Sequence, residues 1–260
     1  MSMSTVITHK SLEGRTAVIT GASSGIGEAT AQRLAELGAS VALLARRADK
    51  LDGLVETITA EGGHAIALPV DVTDREAVMG AATTVSDQLG TADLLVNNAG
   101  VQLISPLEES RMEEWQQQID LNVSGVMNVL GTFLPQLITA ADAGKPTDIV
   151  LTSSIAAKRI LEKFSVYSGT KAYLTHFARL ARLELGRKMV RVSAIEPGMV
   201  DTELPHHVTD HDASTMMADL LREIDVLSPA DIAETIAYVA SAPRHVNLSE
   251  LTILPTAQAV

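Results

Sequence analysis

The chain has 260 residues with 32 acidic against 20 basic side chains, a net charge of −12, and 46% hydrophobic residues. Such a length and apolar content suit one α/β domain with a sizeable core, and the acidic surplus argues against nucleic acid or an anionic membrane as partner. The absence of cysteine excludes disulfides, thiolate metal sites and a cysteine nucleophile.

Residues 1–13 lack an apolar core flanked by basic residues and read as a flexible segment ahead of a single domain over 14–260. No apolar run approaches the ~18 residues of a bilayer span, so a cytoplasmic location is expected. The first strand is Thr16–Thr20, followed at once by Gly21-Ala-Ser-Ser-Gly25-Ile-Gly27 and a helix with Ala29, Leu34 and Leu37 on its inner side. Strand, glycine turn and helix is the context of a phosphate-binding loop. Gly21 permits the tight turn, Gly25 admits a pyrophosphate close to the backbone, and Gly27 lets the helix pack on the strand; Ser23, Ser24 and Ile26 fill the turn. The free N–H groups of the helix start face the anion.

A second strand, Ser40–Ala45, leads through Arg46 and Arg47 into a helix over residues 48–60. The end of this strand meets the adenine ribose in dinucleotide-binding folds. An acidic residue there would take the 2′-hydroxyl of NAD, whereas two guanidinium groups pair with a phosphate, which favours NADP over NAD. The third strand, over 65–70, ends in Asp71-Val72, and a helix runs from Asp74 to Leu89. Asp71 either accepts from an adenine amino group or shares with Thr73 and Asp74 the capping of that helix. A fourth strand, Ala92–Val96, runs into Asn97-Asn98-Ala99-Gly100, which serves either as a crevice lining or as a plain turn.

Residues 112–140 read as one kinked helix with Trp115, Ile119, Val123, Val126 and Leu130 on a stripe, interrupted by Gly125, Gly131 and Pro135, with Asn122 as a polar group needing a partner. A strand from Asp148 ends at Ser154, and a helix over 167–185 places Tyr167 and Lys171 four residues apart on one face. An ammonium beside a phenol favours the phenolate, which makes an acid or base usable near neutrality. A sixth strand over 190–195 precedes Glu196-Pro197-Gly198, then come a polar loop, helices near 214–225 and 229–240, and a last strand over 251–254. Strands alternating with helices predict a doubly wound parallel sheet of seven strands.

Thr20-Gly-Ala-Ser-Ser-Gly-Ile-Gly27, Asp71, Asn97-Asn-Ala-Gly100, Asn122, Ser154, Tyr167-x-x-x-Lys171 and Pro197-Gly198 together resemble the short-chain dehydrogenases/reductases of the NADP-preferring type. The resemblance implies a Rossmann-like domain with strand order 3-2-1-4-5-6-7, helices on both faces and a lid over about 198–227. It implies that Tyr167 is the general acid/base, that Ser154 holds the substrate oxygen, that Lys171 lowers the tyrosine pKa and binds the nicotinamide ribose, and that Asn122 supports a water-linked proton relay. Val72, Asn98, Ala99, Gly100, Pro197, Gly198, Val200 and Thr202 join the glycine turn and the two arginines in holding the cofactor. A carbonyl or alcohol substrate is expected between Gln102 with Leu103, the stretch of Ala156, Arg159 and Ile160, and the lid with Met199 and Leu204. No metal site is assigned, since the crowded His and Asp residues of 205–212 fall in that lid. A homodimer or homotetramer, joined through the helices of Asn122 and Tyr167, is implied as well. A redox sensor without turnover, or an epimerase or dehydratase on the same fold, stands as the alternative; Glu196 has no role in the pattern.

Overall fold

The five central strands of the sheet are buried from both sides while the two edge strands are partly exposed, and the reason lies in near-continuous runs such as Ala17-Val18-Ile19, Val41–Leu44 and Ile149-Val150-Leu151. The computed structural model of the protein describes residues 11–258, and leaves the side chains of Pro205, His206 and several residues of the lid helix outside the description. Strands β1 (Thr16–Thr20), β2 (Ser40–Ala45), β3 (His64–Pro69), β4 (Leu94–Asn97), β5 (Thr147–Thr152), β6 (Val190–Pro197) and β7 (Glu250–Ile253) form one sheet. Its order is β3-β2-β1-β4-β5-β6-β7, and all pairings are parallel, with Thr16 opposite Ser40 and Ala17 opposite Leu94. The predicted architecture and strand order are those observed.

Alternate residues of each strand serve opposite faces. Ile19 and Leu43 join one core layer with Leu34 of α1 (Gly25–Glu36), Leu51 of α2 (Ala48–Ala60) and Ile236 of α8 (Pro229–Ser241). Val18 and Leu44 join the other with Val85 of α3 (Arg75–Leu89), Phe133 of α5 (Val126–Asp142) and Leu174 of α6 (Ser165–Leu185). Local capping sets two of these helix starts. Asp74 accepts from Glu76 and Ala77 N–H ahead of α3, and Ser228 with Asp231 closes a capping box around α8, whose first residue is Pro229.

Three expectations change. The first ten residues lie outside the described residues, but Leu12 is buried and its N–H bonds Leu37 O at 2.9 Å, so the packed domain starts before Gly14. Residues 112–142 are helical throughout; of the interruptions expected at Gly125, Gly131 and Pro135, the first coincides with a π-helical turn over Asp120–Gly125 between α4 (Met112–Ile119) and α5, while Gly131 and Pro135 lie inside α5. A π turn takes in one extra residue, so the apolar stripe falls out of phase: Val126 and Leu130 are buried while Ile119 is 41% exposed. The same run also holds an 18-residue window of mean hydropathy 1.3, long enough to cross a bilayer and overlooked in the sequence. Its Val129, Phe133 and Leu137 pack in the core between sheet and helices.

The amino ends of the strands are tied by a buried ion network. Arg15 Nε meets Asp93 Oδ1 at 2.6 Å and its Nη2 meets Asp148 Oδ2 at 2.8 Å, while Arg191 Nε meets Asp148 Oδ1 at 2.7 Å. All four side chains are buried, and β1, β4, β5 and β6 are thereby locked at one edge.

Candidate active site

The carboxyl edge holds a cavity of about 770 Å³ at the crevice between β1 and β4, where the strand order reverses. One end of it is the glycine turn. Gly21 and Gly25 have φ of +65° and +55°, the left-handed region open to glycine. A Cβ at Gly21 would stand 2.9 Å from Ala99 Cα, one at Gly25 would stand 3.1 Å from the Thr202 methyl, and one at Gly27 would collide with the Gly21 carbonyl. The turn is further tied to Asn98 and Ala99, whose N–H groups donate to Thr20 Oγ1 at 2.9 and 3.0 Å. Asn98 to Gly100 thus line a cradle rather than form a mere turn. A phosphate group fits it: α1 begins at Gly25 and its first N–H groups open on the cavity.

Beside the turn, Arg46 and Arg47 close the end of β2. Arg47 Nε donates to Ser23 Oγ at 3.1 Å, its Nη2 to Ser23 O at 3.0 Å, and Nη2 also pairs with Glu203 at 3.1 Å. Of the two readings of Asp71, capping belongs to Asp74. The Asp71 carboxylate accepts from Thr73 N–H at 2.9 Å and Thr73 Oγ1 at 2.8 Å, and the backbone bond, with Arg46 further off, holds its pKa below the usual range. Ser24, Ile26, Val72, Pro197, Gly198, Val200 and Thr202 all line the same cavity, whereas Gly27 lies behind it as packing.

At the other end Tyr167, Ser154 and Lys171 converge. Lys171 Nζ lies 5.7 Å from the Tyr167 ring centroid and donates to Thr152 O at 2.8 Å. Ser154 Oγ accepts from Ala156 N–H at 3.1 Å and hydrogen-bonds Tyr167, which draws the phenol pKa down. Burial is the larger effect and pushes Tyr167 up to about 12, while it brings Lys171 down to about 8.

Asn122 is fully buried in the π turn. Its Nδ2 donates to Val101 O at 2.9 Å and Thr170 Oγ1 at 3.1 Å, and its Oδ1 accepts from Val101 N–H at 2.8 Å. A Cβ at Gly100 would stand 3.2 Å from Asn122 Oδ1 and 3.5 Å from Lys171 Nζ, so these groups share one small space. The amide clamps the loop after β4 to α6.

Gln102, Ala156, Met199 and Leu204 line the open end as expected. Ile160 does not: it is 103% exposed, two residues after Lys158, which pairs with Glu196 and Glu250. Leu161, Phe164, His207 and Ile224 line the cavity in its place. Sequence reasoning also missed Gln258, whose Oε1 accepts from Met199 N–H at 3.0 Å. Asp210, among the crowded residues of the lid, caps α7 (His211–Glu223) and pairs with Lys163 at 3.0 Å and Arg111 at 3.4 Å.

Residues 15–213 match the family model described as short chain dehydrogenase. An uncharacterised oxidoreductase of Listeria innocua is 37% identical over 95% of this chain and 98% of its own, and a serine 3-dehydrogenase of Agrobacterium fabrum is 38% identical over 94% of each. Among solved structures, the closed form of a serine dehydrogenase complexed with NADP+ superposes with a TM-score of 0.85 at 28% identity, covering 94% of this chain and 96% of that one. A metagenomic short-chain oxidoreductase in complex with NADP gives 0.78 at 34% identity, covering 95% and 99%. With the family model matched over residues 15–213 and relatives 37% and 38% identical over nearly the whole chain, the chain belongs to the short-chain dehydrogenase family.

Proposed function

We propose that the protein is an NADP(H)-dependent oxidoreductase that interconverts a carbonyl compound and its alcohol. The observation that carries the reading is the sharing of one cavity by the phosphate cradle, the two arginines of the β2 end and the Ser154, Tyr167 and Lys171 cluster. Arg46 and Arg47 supply guanidinium groups for the 2′-phosphate, which agrees with the NADP found in similar structures. Bound there, NADPH supplies a hydride to the carbonyl carbon. Ser154 and Tyr167 hold the carbonyl oxygen by hydrogen bonds, and Tyr167 transfers its phenolic proton to that oxygen as it becomes an alcohol. Lys171, a buried cation beside the ring, stabilises the phenolate left behind.

The open end of the cavity is walled by Leu161, Phe164, Met199, Leu204 and Ile224, which favours a moderately apolar substrate. Met112 and Ile119 on α4 and Tyr173, Leu180 and Leu183 on α6 are exposed apolar side chains, and we assign to them the contact between copies in a dimer or tetramer. The cytoplasm, where NADP(H) is held, is the proposed location. Calorimetric titration with NADPH and NADH, followed by absorbance decay with a panel of ketones and aldehydes, tests the assignment. NADPH is expected to bind at least tenfold more tightly, and Tyr167→Phe to lower kcat by about a hundredfold or more with NADPH affinity kept. Equal affinities would reject the 2′-phosphate site, and normal turnover in Tyr167→Phe would reject the acid.

A further inference from the structure

Glu196 precedes the Pro197-Gly198 corner of the cavity, is 0% exposed, and takes no part in the chemistry derived above. Its Oε2 accepts from Lys158 Nζ at 2.5 Å and from Thr252 Oγ1 at 2.8 Å, and its Oε1 accepts from Thr175 Oγ1 at 3.1 Å. Thr175 Oγ1 lies 2.8 Å from Ser153 Oγ, and Ser153 Oγ lies 2.9 Å from the carbonyl oxygen of Lys171. A carboxylate buried this fully needs every one of these donors.

The two hydroxyls hold one proton each, so the contacts compete. If Ser153 gave its proton to the Lys171 carbonyl, Thr175 could serve either Ser153 or Glu196 but not both. The ionised carboxylate is the stronger acceptor, and the Lys171 carbonyl already has the helical bonding of α6. The chain therefore runs from Ser153 to Thr175 to Glu196. Ser153 sits between Thr152, whose carbonyl is held by Lys171 Nζ, and Ser154, whose hydroxyl meets Tyr167. The strand end is thus gripped on one side by Lys171 and on the other by the carboxylate.

We infer that Glu196 is a positioning residue: acting through Thr175 and Ser153, it sets the end of β5 that carries Ser154 against the helix that carries Tyr167 and Lys171. The inference rests on the catalytic roles proposed for those three residues. Lys158, 39% exposed at its side chain, balances the charge from the solvent side, and Glu250 and Arg179 extend the network outward.

Thr175→Val cuts the chain at Ser153 while the carboxylate keeps Lys158 and Thr252. Glu196→Gln keeps the shape but presents an amide N–H donor where only an acceptor fits. In both variants kcat with NADPH and a reducible carbonyl is expected to fall about tenfold, with KM and Kd for NADPH within about twofold of wild type. Thr175→Ser should regain the wild-type kcat. Glu250→Gln, which loosens only the outer pairs, should lower Tm and leave kcat unchanged. A Thr175→Val protein that binds NADPH and keeps wild-type kcat overturns the inference; if that variant does not fold, Glu196→Gln decides on the same readout. Tyr167→Phe measured alongside separates the two levels: its normal turnover sinks the catalytic assignment, whereas its inactivity with an undiminished Thr175→Val sinks the positioning role alone.

Discussion

Tyr167 and Lys171 are both shifted by burial, the phenol upward and the ammonium downward. Their spacing along a helix was legible in the sequence. The depth of Tyr167's burial was not, because it is made by Ile104, Phe164 and Val208, which arrive from three separate segments. The pKa shifts carry a stability signature. Folded Lys171 releases its proton near 8 and an unfolded lysine near 10.5, so between those values the unfolded state binds more protons and stability rises with pH. Folded Tyr167 keeps its proton to about 12 against 10.0 when unfolded, so its contribution is intact below pH 10 and is lost as pH climbs toward 12. Denaturant melts of wild type and Lys171→Met should therefore diverge from pH 8 to 10, with wild type gaining on the order of 3 kcal/mol across the full lysine window. Parallel curves would show that Lys171 titrates as if exposed.

Among the elements, apolar runs and glycine turns placed all seven strands to within a few residues, because burial between two helical layers leaves little choice of residue type. The π turn was half legible: Gly125 at its end marked an interruption, but the one extra residue that shifts the phase of the helix leaves no mark in the sequence. Ile160 was misplaced because an apolar side chain in this loop reads as a pocket wall, whereas it is fully exposed and Leu161 and Phe164 line the cavity instead. The β2–α2 junction supplies the prediction at this scale. Arg47 is already braced on Ser23, and its pairing with Glu203 shows that it seeks an anion. Replacing Arg46 or Arg47 with Ala should weaken NADPH binding about tenfold or more and leave NADH within about twofold, as a calorimetric titration will show. Equal losses for both cofactors would mean that the arginines only shape the turn.

For the molecule as a whole, the two edges of the sheet have different duties. At the amino edge, Arg15, Asp93, Asp148 and Arg191 join four strands by buried ion pairs. Asp148→Ala leaves two guanidinium groups without their shared partner and should cost about 3–5 kcal/mol of stability, read as a lowered urea midpoint, with NADPH affinity at low temperature unchanged. A variant as stable as wild type would make the network dispensable. On the outer surface, light scattering coupled to sizing should return a multiple of the monomer mass, and charges introduced at Leu180 and Leu183 of α6 should return the monomer.

The same separation of edges bears on how the protein can be remodelled. Leu161, Leu204 and Ile224 line the cavity from loops and lid at the carboxyl edge, while Asp93 and Asp148 clasp the strands at the opposite edge. A mutagenesis library confined to those three lining positions can alter which carbonyl is accepted without drawing on the clasp that keeps the scaffold folded, and a second library at the clasp can raise heat tolerance without retuning selectivity. Gains from the two should combine nearly additively, since sites this far apart share no partner.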